Sequence, residues 1–271
     1  MTNDCLVTKL KGVVNNETLP KFGMITFHVN NPENLTDKMT YFKYADSTEA
    51  TKNFYEVGSG VTADFITSQI YPRFTGEGYV RVKNKYNITD IVISSRYQSD
   101  SVTPSIDMDI SQLSYNNLQS ISCTPQGLHI TNLKDLQILK PTLKGITLNE
   151  RDILVHQLSG DISDLAKFVN LETLSLSYVS NKVHGTMEQV ATLFPKLNSL
   201  GDLTDNKWLT GSIEDFVTVR RSQGVNDGSV YTKWGIFSNV TFNGEKLKGQ
   251  DNTPFSWTAT TITYNGVTIN A

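Results

Sequence analysis

Charge is scarce in this chain, and so is cysteine. Lys, Arg, Asp and Glu make up only 19% of the 271 residues, which is low for a cytosolic enzyme, and the net charge is −3. No basic stripe is available to neutralise phosphates, so nucleic acid is not an expected partner. Cysteine occurs only at Cys5 and Cys123, too sparsely for a disulfide framework or a zinc site. No run of about 18 apolar residues occurs, so no helix is expected to span a membrane. Residues 1–5 lack the positive and apolar segments of a secretory or lipoprotein signal. If Met1 is the native start, the chain folds in the cytosol where it is made. Asn, Thr and Ser fill the composition instead, a balance typical of β-rich, displayed proteins. The hydrophobic share of 38% is enough for a core, and the length suits two or three domains.

The first hundred residues carry short alternations of apolar and polar side chains. They run over 6–10, 24–29, 79–82 and 88–93, with β-branched and aromatic residues throughout. This period of two predicts half-buried strands in a small sandwich or roll. Asn30-Asn31-Pro32 and Thr75-Gly76-Glu77-Gly78 are expected to be turns. Gly58-Ser59-Gly60 is expected to be a loop, because no Lys-Ser/Thr follows it to hold a phosphate. A polar, Pro-containing junction at 99–104 sets the first domain boundary. The expected division is an N-terminal β domain at 1–100, a repeat domain at 101–224 and a C-terminal β cap at 225–271. In the cap, Asn243-Gly244 and Asn265-Gly266 sit between alternating segments, the signature of type I′ hairpins.

The middle of the chain repeats. An aliphatic ladder at positions 0, 3 and 5 occurs at Leu118, Ile121 and Cys123, at Leu143, Ile146 and Leu148, and at Leu171, Leu174 and Leu176. A looser copy follows at Leu197, Leu200 and Leu203. The first positions lie 25, 28 and 26 residues apart. A second series, Ile110, Ile130, Ile162, Met187 and Ile213, precedes or opens predicted helical turns, with a helix expected over 188–193. Gly160, Gly185 and Gly211 stand two residues before the last three. One such unit cannot bury its own apolar edge, so neighbouring units must stack and share a core. Cys123 takes a ladder position and reads as a buried thiol packing like a small hydrophobe.

Residues 158–216, with Leu158-Ser-Gly160-Asp-Ile162 recurring as Val183-His-Gly185-Thr-Met187 and Leu209-Thr-Gly211-Ser-Ile213, resemble leucine-rich repeats of the Leu-x-Gly-x-Ile kind. The resemblance covers roughly 110–220 in all. It implies a solenoid that binds through an open surface. The late Asn181 and Asn206, and the wider Leu200–Leu203 step, imply a short irregular stack rather than a regular horseshoe. The opening Cys5-Leu-Val-Thr-Lys-Leu-Lys-Gly-Val-Val14 resembles the start of proteins encoded by bacteriophages and prophages of Bacteroides-like bacteria. Some of those are virion components, fibre-like or receptor-facing. The expected fold class is therefore α+β and β-rich, with a β-sandwich or roll, a short repeat stack and a β-hairpin cap.

Chemistry-bearing motifs are few. His28, His129, His156 and His184 show no metal-ligand spacing and are expected to be solvated or locally bonded. Neither a Gly-x-Ser-x-Gly elbow nor a His-Glu-x-x-His helix is present. Asp161 with Asp164, and Glu214 with Asp215, fall at helix starts, where carboxylates cap free N–H groups. Asp202 and Asp205 read as turn residues, with cation binding as the alternative. Asn34, Asn87 and Asn239 head Asn-x-Thr sequons that matter only in a eukaryotic secretory setting.

A binding surface is expected where ladder strands turn side chains outward. It comprises Lys144, Thr147, Thr173, Ser175, Ser177, Asn198 and Ser199, small polar groups suited to weak or glycan-like contact. Trp234 and Trp257 are further contact candidates among aromatics concentrated toward the chain ends, most of which should be core. No catalytic, metal or cofactor residue is proposed. The composition and repeats point to a non-enzymatic structural or adhesive protein of a phage particle, fibre-like or head-decorating. Its partners would be other virion proteins, or a host-surface glycan or protein, with self-association open. The alternatives are a bacterial cell-surface leucine-rich adhesin whose leader has been removed, and a glycan-active enzyme with two convergent carboxylates in a groove.

Overall fold

The computed structural model describes residues 23–31, 40–46, 48, 50–66, 71–83, 85–93, 105–114, 117–149, 158–177, 182–203, 208–234, 239–247 and 254–271. The fold is β-rich α+β. Its N-terminal part supplies strands β1 (Ile25–Asn31), β2 (Tyr41–Tyr44), β3 (Tyr55–Val57), β4 (Val61–Ile66), β5 (Tyr71–Val82), β6 (Ile88–Ile93) and β7 (Ile106–Asp107). The long β5 organises five of these: β1 lines one edge in antiparallel register, β3 and β4 share the other, and β7 extends the sheet beyond β1.

Alternation decides which residues face the core. Ile25, Phe27 and Val29 are buried, while Thr26, His28 and Asn30 point to the opposite face. Phe27 stacks on Phe42 of β2 at 6.2 Å and meets Phe74 edge-on at 5.3 Å, so aromatic packing joins this sheet to the next.

The expected turn at Thr75–Gly78 does not form, for these residues lie inside β5. Their glycines admit a close backbone approach from Gly58–Gly60, where the chain kinks between β3 and β4. A Cβ on Gly76 would lie 2.0 Å from the Gly60 oxygen, and Gly76 has φ +91°. Glycine within a strand here marks a close backbone approach rather than a reversal, since the register with β1 runs through it unbroken. Asn30 and Asn31 end β1 rather than forming a described turn; Pro32 and residues 6–10 lie outside the described residues.

A ten-stranded sheet forms the spine of the molecule. Its parallel centre runs through β6, β8 (Ser120–Cys123), β9 (Gly145–Asn149), β11 (Thr173–Ser177), β13 (Ser199–Leu203) and β15 (Gly228–Trp234). Ile91, Ile121, Ile146 and Leu174 stand in one row, and Ile93, Cys123, Leu148 and Leu176 in the next, all buried. Ladder side chains from successive units thus seal one interior, each contributing about 1.5–3 kcal/mol by burial. The sheet crosses both positions, 100 and 224, where composition and pattern change.

A second parallel sheet grows from the Leu-x-Gly-x-Ile text. It comprises β10 (Gly160–Asp161), β12 (Val183–Thr186), β14 (Leu209–Ser212) and β16 (Asn239–Phe242), with β17 (Glu245–Lys246) antiparallel at its end. Helical turns follow each of its first three strands: a 3₁₀ turn at Ile162–Leu165, then helices α1 (Met187–Leu193) and α2 (Ile213–Ser222). Beyond β15, the sheet continues antiparallel through β18 (Phe255–Trp257), β19 (Thr261–Tyr264) and β20 (Val267–Asn270). Both Asn-Gly turns form as expected: Asn243 and Gly244 have φ 51° and 76°, Asn265 and Gly266 φ 47° and 76°, the left-handed pair a type I′ turn needs.

Candidate functional site

Main-chain bonding sets the geometry of the outward ladder face. The N–H groups of Lys144 and Gly145 both donate to the Gln119 oxygen, at 2.7 and 2.9 Å. Glu172 and Thr173 do the same to Lys144, and Asn198 and Ser199 to Glu172. Lys144, Glu172 and Asn198 therefore form one row across successive units. Lys144 Nζ lies 3.6 Å from Glu172 Oε1 in an exposed pair, which contributes little to stability but leaves the row locally neutral. In the neighbouring row, Ser120, Gly145, Thr173, Ser199 and Tyr231 follow one another in register. Further along, Ser122, Thr147 and Ser175 do so.

The sequence-derived surface residues fare unequally. Lys144 and Asn198 are exposed, and Thr147, Thr173 and Ser199 half-buried. Ser175 is buried, because the Gly201 backbone closes over it: a Cβ there would lie 2.4 Å from the Ser175 Cβ. The Ser199 hydroxyl accepts the Gly201 N–H at 3.2 Å. Ser177 ends β11 opposite Asn149, and Trp234 lies in β15 opposite Leu203; the surroundings of these two side chains, and of Asp202 and Asp205, fall outside the described residues.

Trp257 is no surface contact. It is 6% exposed, packs against Phe216 at 5.9 Å and donates its indole N–H to the Val225 oxygen at 3.1 Å. Burying the ring between α2 and the hairpin satisfies both its apolar body and its polar tip. Among the described residues, Tyr231 is an aromatic that does reach the face, 43% exposed beside Ser199. The ladder reading stopped at Leu203 and so missed it; the Ser229–Lys233 alternation marks the strand that carries it.

The carboxylates at helix starts are engaged with main-chain N–H groups. Asp161 Oδ1 accepts from Ser163, and Asp164 Oδ2 from Asp161. Asp215 and Ser212 exchange the same pair of bonds at 2.9 and 3.0 Å. Asn132 with Asp135, and Thr186 with Gln189, complete a series of four such boxes. Glu214 departs from the capping expectation: its Oε1 accepts the Asn243 N–H at 2.6 Å and holds the hairpin turn against α2. Cys123 is buried as expected, and burial pushes its thiol well above the usual range. Among the described residues, no three His, Cys, Asp or Glu lie together as a metal site, and no helix is long and apolar enough to cross a membrane.

A second feature was not legible locally. Where β1, β5 and β7 meet the 3₁₀ turn Ile110–Leu113, a cavity of about 260 Å³ opens. The Gln112 side chain docks on Thr26 like a neighbouring strand, accepting its N–H at 2.8 Å and donating to its oxygen at 2.7 Å. His28 is in register with both Tyr79 and Asp107, and its ring lies 4.9 Å from that of Tyr79. His129 Nε2 hydrogen-bonds Asp107 Oδ1 from the rim. Thr26 Oγ1 lies sealed beneath this surface, with no hydrogen-bond partner among the described residues.

No protein-family model matches the chain, and neither a curated protein nor a solved structure matches it significantly.

Proposed function

We propose that this protein is a binding module, structural and adhesive rather than catalytic, built on a short leucine-rich-repeat stack. Its setting is a bacteriophage particle, as a fibre-like or head-decorating component, and its partners are other virion proteins or a host-surface protein or glycan. One observation carries the reading. Five successive parallel strands, β8 to β15, lay out registered rows of mostly small groups, ending at the exposed Tyr231 ring. Solenoids use such extended faces for contact. The paired carboxylates that a hydrolase needs in a groove are, at Asp161–Asp164 and Asp215, occupied in capping.

The test is co-sedimentation of the chain with native particles, followed by labelling of those particles in electron microscopy. Stoichiometric labelling is expected. Particles that form and infect normally with the chain absent from them would overturn the setting. For the face, Tyr231→Ala combined with Lys144→Glu is expected to weaken attachment by about tenfold or more, the cost of losing an aromatic anchor.

A further inference from the structure

We propose that β20 is a docking edge for a second copy of this chain, the two strands pairing antiparallel about a two-fold axis at Ile269. The edge lies at the hairpin end of the large sheet and does not depend on how the ladder face is read.

The hydrogen-bond pattern leaves one side of β20 open. The Asn265-Gly266 turn makes Tyr264 and Val267 a hydrogen-bonded pair. Bonded and non-bonded pairs then alternate along the hairpin. Ile262 with Ile269 is the next bonded pair, and past the strand the Ala271 N–H donates to the Thr260 oxygen at 3.0 Å. Thr268 and Asn270 fall on the non-bonded pairs between them, and the Thr263 and Thr268 hydroxyls meet at 2.9 Å across one of these. The main-chain N–H and C=O groups of Thr268 and Asn270 therefore point away from β19, and no described strand lies beyond them.

Other sheet ends are protected, and this one is not. At the opposite end of the same sheet, Tyr44 of β2 donates to the Thr48 oxygen and Ala50 donates to the Phe42 oxygen, both at 2.9 Å. The end strand β17 is short and charged, Glu245-Lys246, with both residues exposed. Charge, proline, shortness and a covering loop are what keep an edge from pairing. β20 has no charged residue and no proline, and no described segment covers it. Its apolar face also outruns its cover. Phe255, Trp257, Ile262 and Tyr264 are at most 7% exposed, whereas Val267, paired with Tyr264, is 49% exposed.

The register selects the occupant. The outward groups of Thr268 and Asn270 flank Ile269, so an antiparallel copy sets Thr268 opposite Asn270 of the second copy, and Asn270 opposite its Thr268, as bonded pairs. Ile269 then meets its own counterpart on the axis, in the non-bonded position where side chains approach most closely. Val267, Ile269 and Ala271 alternate onto one face, and Val267 comes opposite Ala271 of the second copy. The strip is thus apolar throughout and complementary to itself, with no like charges opposed. Such an interface is isologous and closes at two copies. Arg221 holds the edge ready, donating to the oxygens of Thr258, Thr261 and Ala271 at 2.7, 3.0 and 2.7 Å, so little chain is left to order on docking. Strands this short bury less than the roughly 1,200 Å² of a standard interface, which makes the dimer a weak one.

The experiment is sedimentation equilibrium of the full chain from about 5 µM to about 1 mM, the range of weak affinities. The mass should rise from one chain toward two. Over the same range, amide exchange read by NMR should slow about tenfold or more at Thr268 and Asn270. It should stay constant at Ile269, whose N–H is already bonded to β19. Thr268→Pro removes an outward donor and keeps the bonds to β19, as proline does on an edge strand. It should weaken the dimer about tenfold or more, as should Val267→Lys, which places a charge on the edge. Tyr231→Ala should leave it unchanged. If circular dichroism shows Thr268→Pro unfolded, Val267→Lys decides alone. The proposal is overturned if the chain stays monomeric throughout, if the Thr268 and Asn270 amides are equally protected at both ends of the range, if association leaves them unprotected, or if the folded variants dimerise undiminished. Attachment through the ladder face is scored separately by the Tyr231 and Lys144 variant, so either result stands without the other.

Discussion

The guanidinium of Arg220 donates to the Phe194 main-chain oxygen, 2.7 Å away and one repeat unit earlier. It reaches Leu197 at 3.4 Å and lies 4.9 Å over the Phe216 ring, while the residue is only 2% exposed. Burial draws its pKa down to about 10, so it stays charged at neutral pH. A cation buried among backbone carbonyls thus bolts α2 to the segment that follows α1. Lys167 makes a corresponding link two units earlier, donating to the oxygens of Gln137 and Leu139.

Replacing Arg220 with Ala leaves the carbonyls of Phe194 and Leu197 buried without this donor. The expected loss is about 2–4 kcal/mol, measured by urea unfolding. Arg220→Lys should recover only part of it, since one ammonium does not reproduce the planar fork.

Two glycines separate steric from conformational demands. Gly76→Ala should cost about 3 kcal/mol or more, because the new methyl meets the Gly60 oxygen. Gly266→Ala meets nothing within 4 Å and should cost only the left-handed strain, about 1–2 kcal/mol. Parallel thermal melts of the two variants give the ranking.

Acid stability should depend in part on Asp161. Burial alone raises its carboxyl, but hydrogen bonds from Ser163, the His184 charge and a bond from Gln189 outweigh that and hold it below the usual carboxylate range. A carboxyl lower in the folded chain than in the unfolded one adds stability above the unfolded value of about 3.9. That contribution disappears as pH falls through the folded value. Asp161→Asn, which retains the cap, should therefore flatten the fall of Tm between about pH 5 and 2, as read by melts across that range.

Cys123 should resist alkylation in the native state, since its thiol is buried and its pKa raised. In a Cys5→Ser background, a thiol reagent should react only after denaturant is added. Modification at a rate unaffected by denaturant would contradict the closed ladder core.

What could be read from the residues was whatever a single unit determines for itself. The ladder spacing, the openings at Ile162, Met187 and Ile213, and both Asn-Gly hairpins depend on neighbours within a few positions, and all formed. The ladder even begins earlier than it was read. Ile88, Ile91 and Ile93 carry the same spacing, and Ile91 pairs with Ile121 as the first parallel rung. The errors arose where the deciding partner is remote. Gly76–Gly78 looked like a turn because the Gly58–Gly60 backbone that presses on it is invisible to local composition. Trp257 looked like a contact because the Val225 oxygen that takes its indole lies 32 residues away. The Thr26 cavity has no linear signature at all: antiparallel register brings His28 to Tyr79 and Asp107, and Gln112 arrives from 86 residues downstream.

Because β9, β11 and β13 bond laterally only to their own neighbours, the span between the two ends of the large sheet comes in fixed increments. Duplicating the segment between Thr173 and Ser199 would move the C-terminal hairpins outward by one strand width, about 4.8 Å, without altering either terminus of the sheet. Reach is thereby a countable property of this protein, adjustable by whole units while the end structures stay as they are.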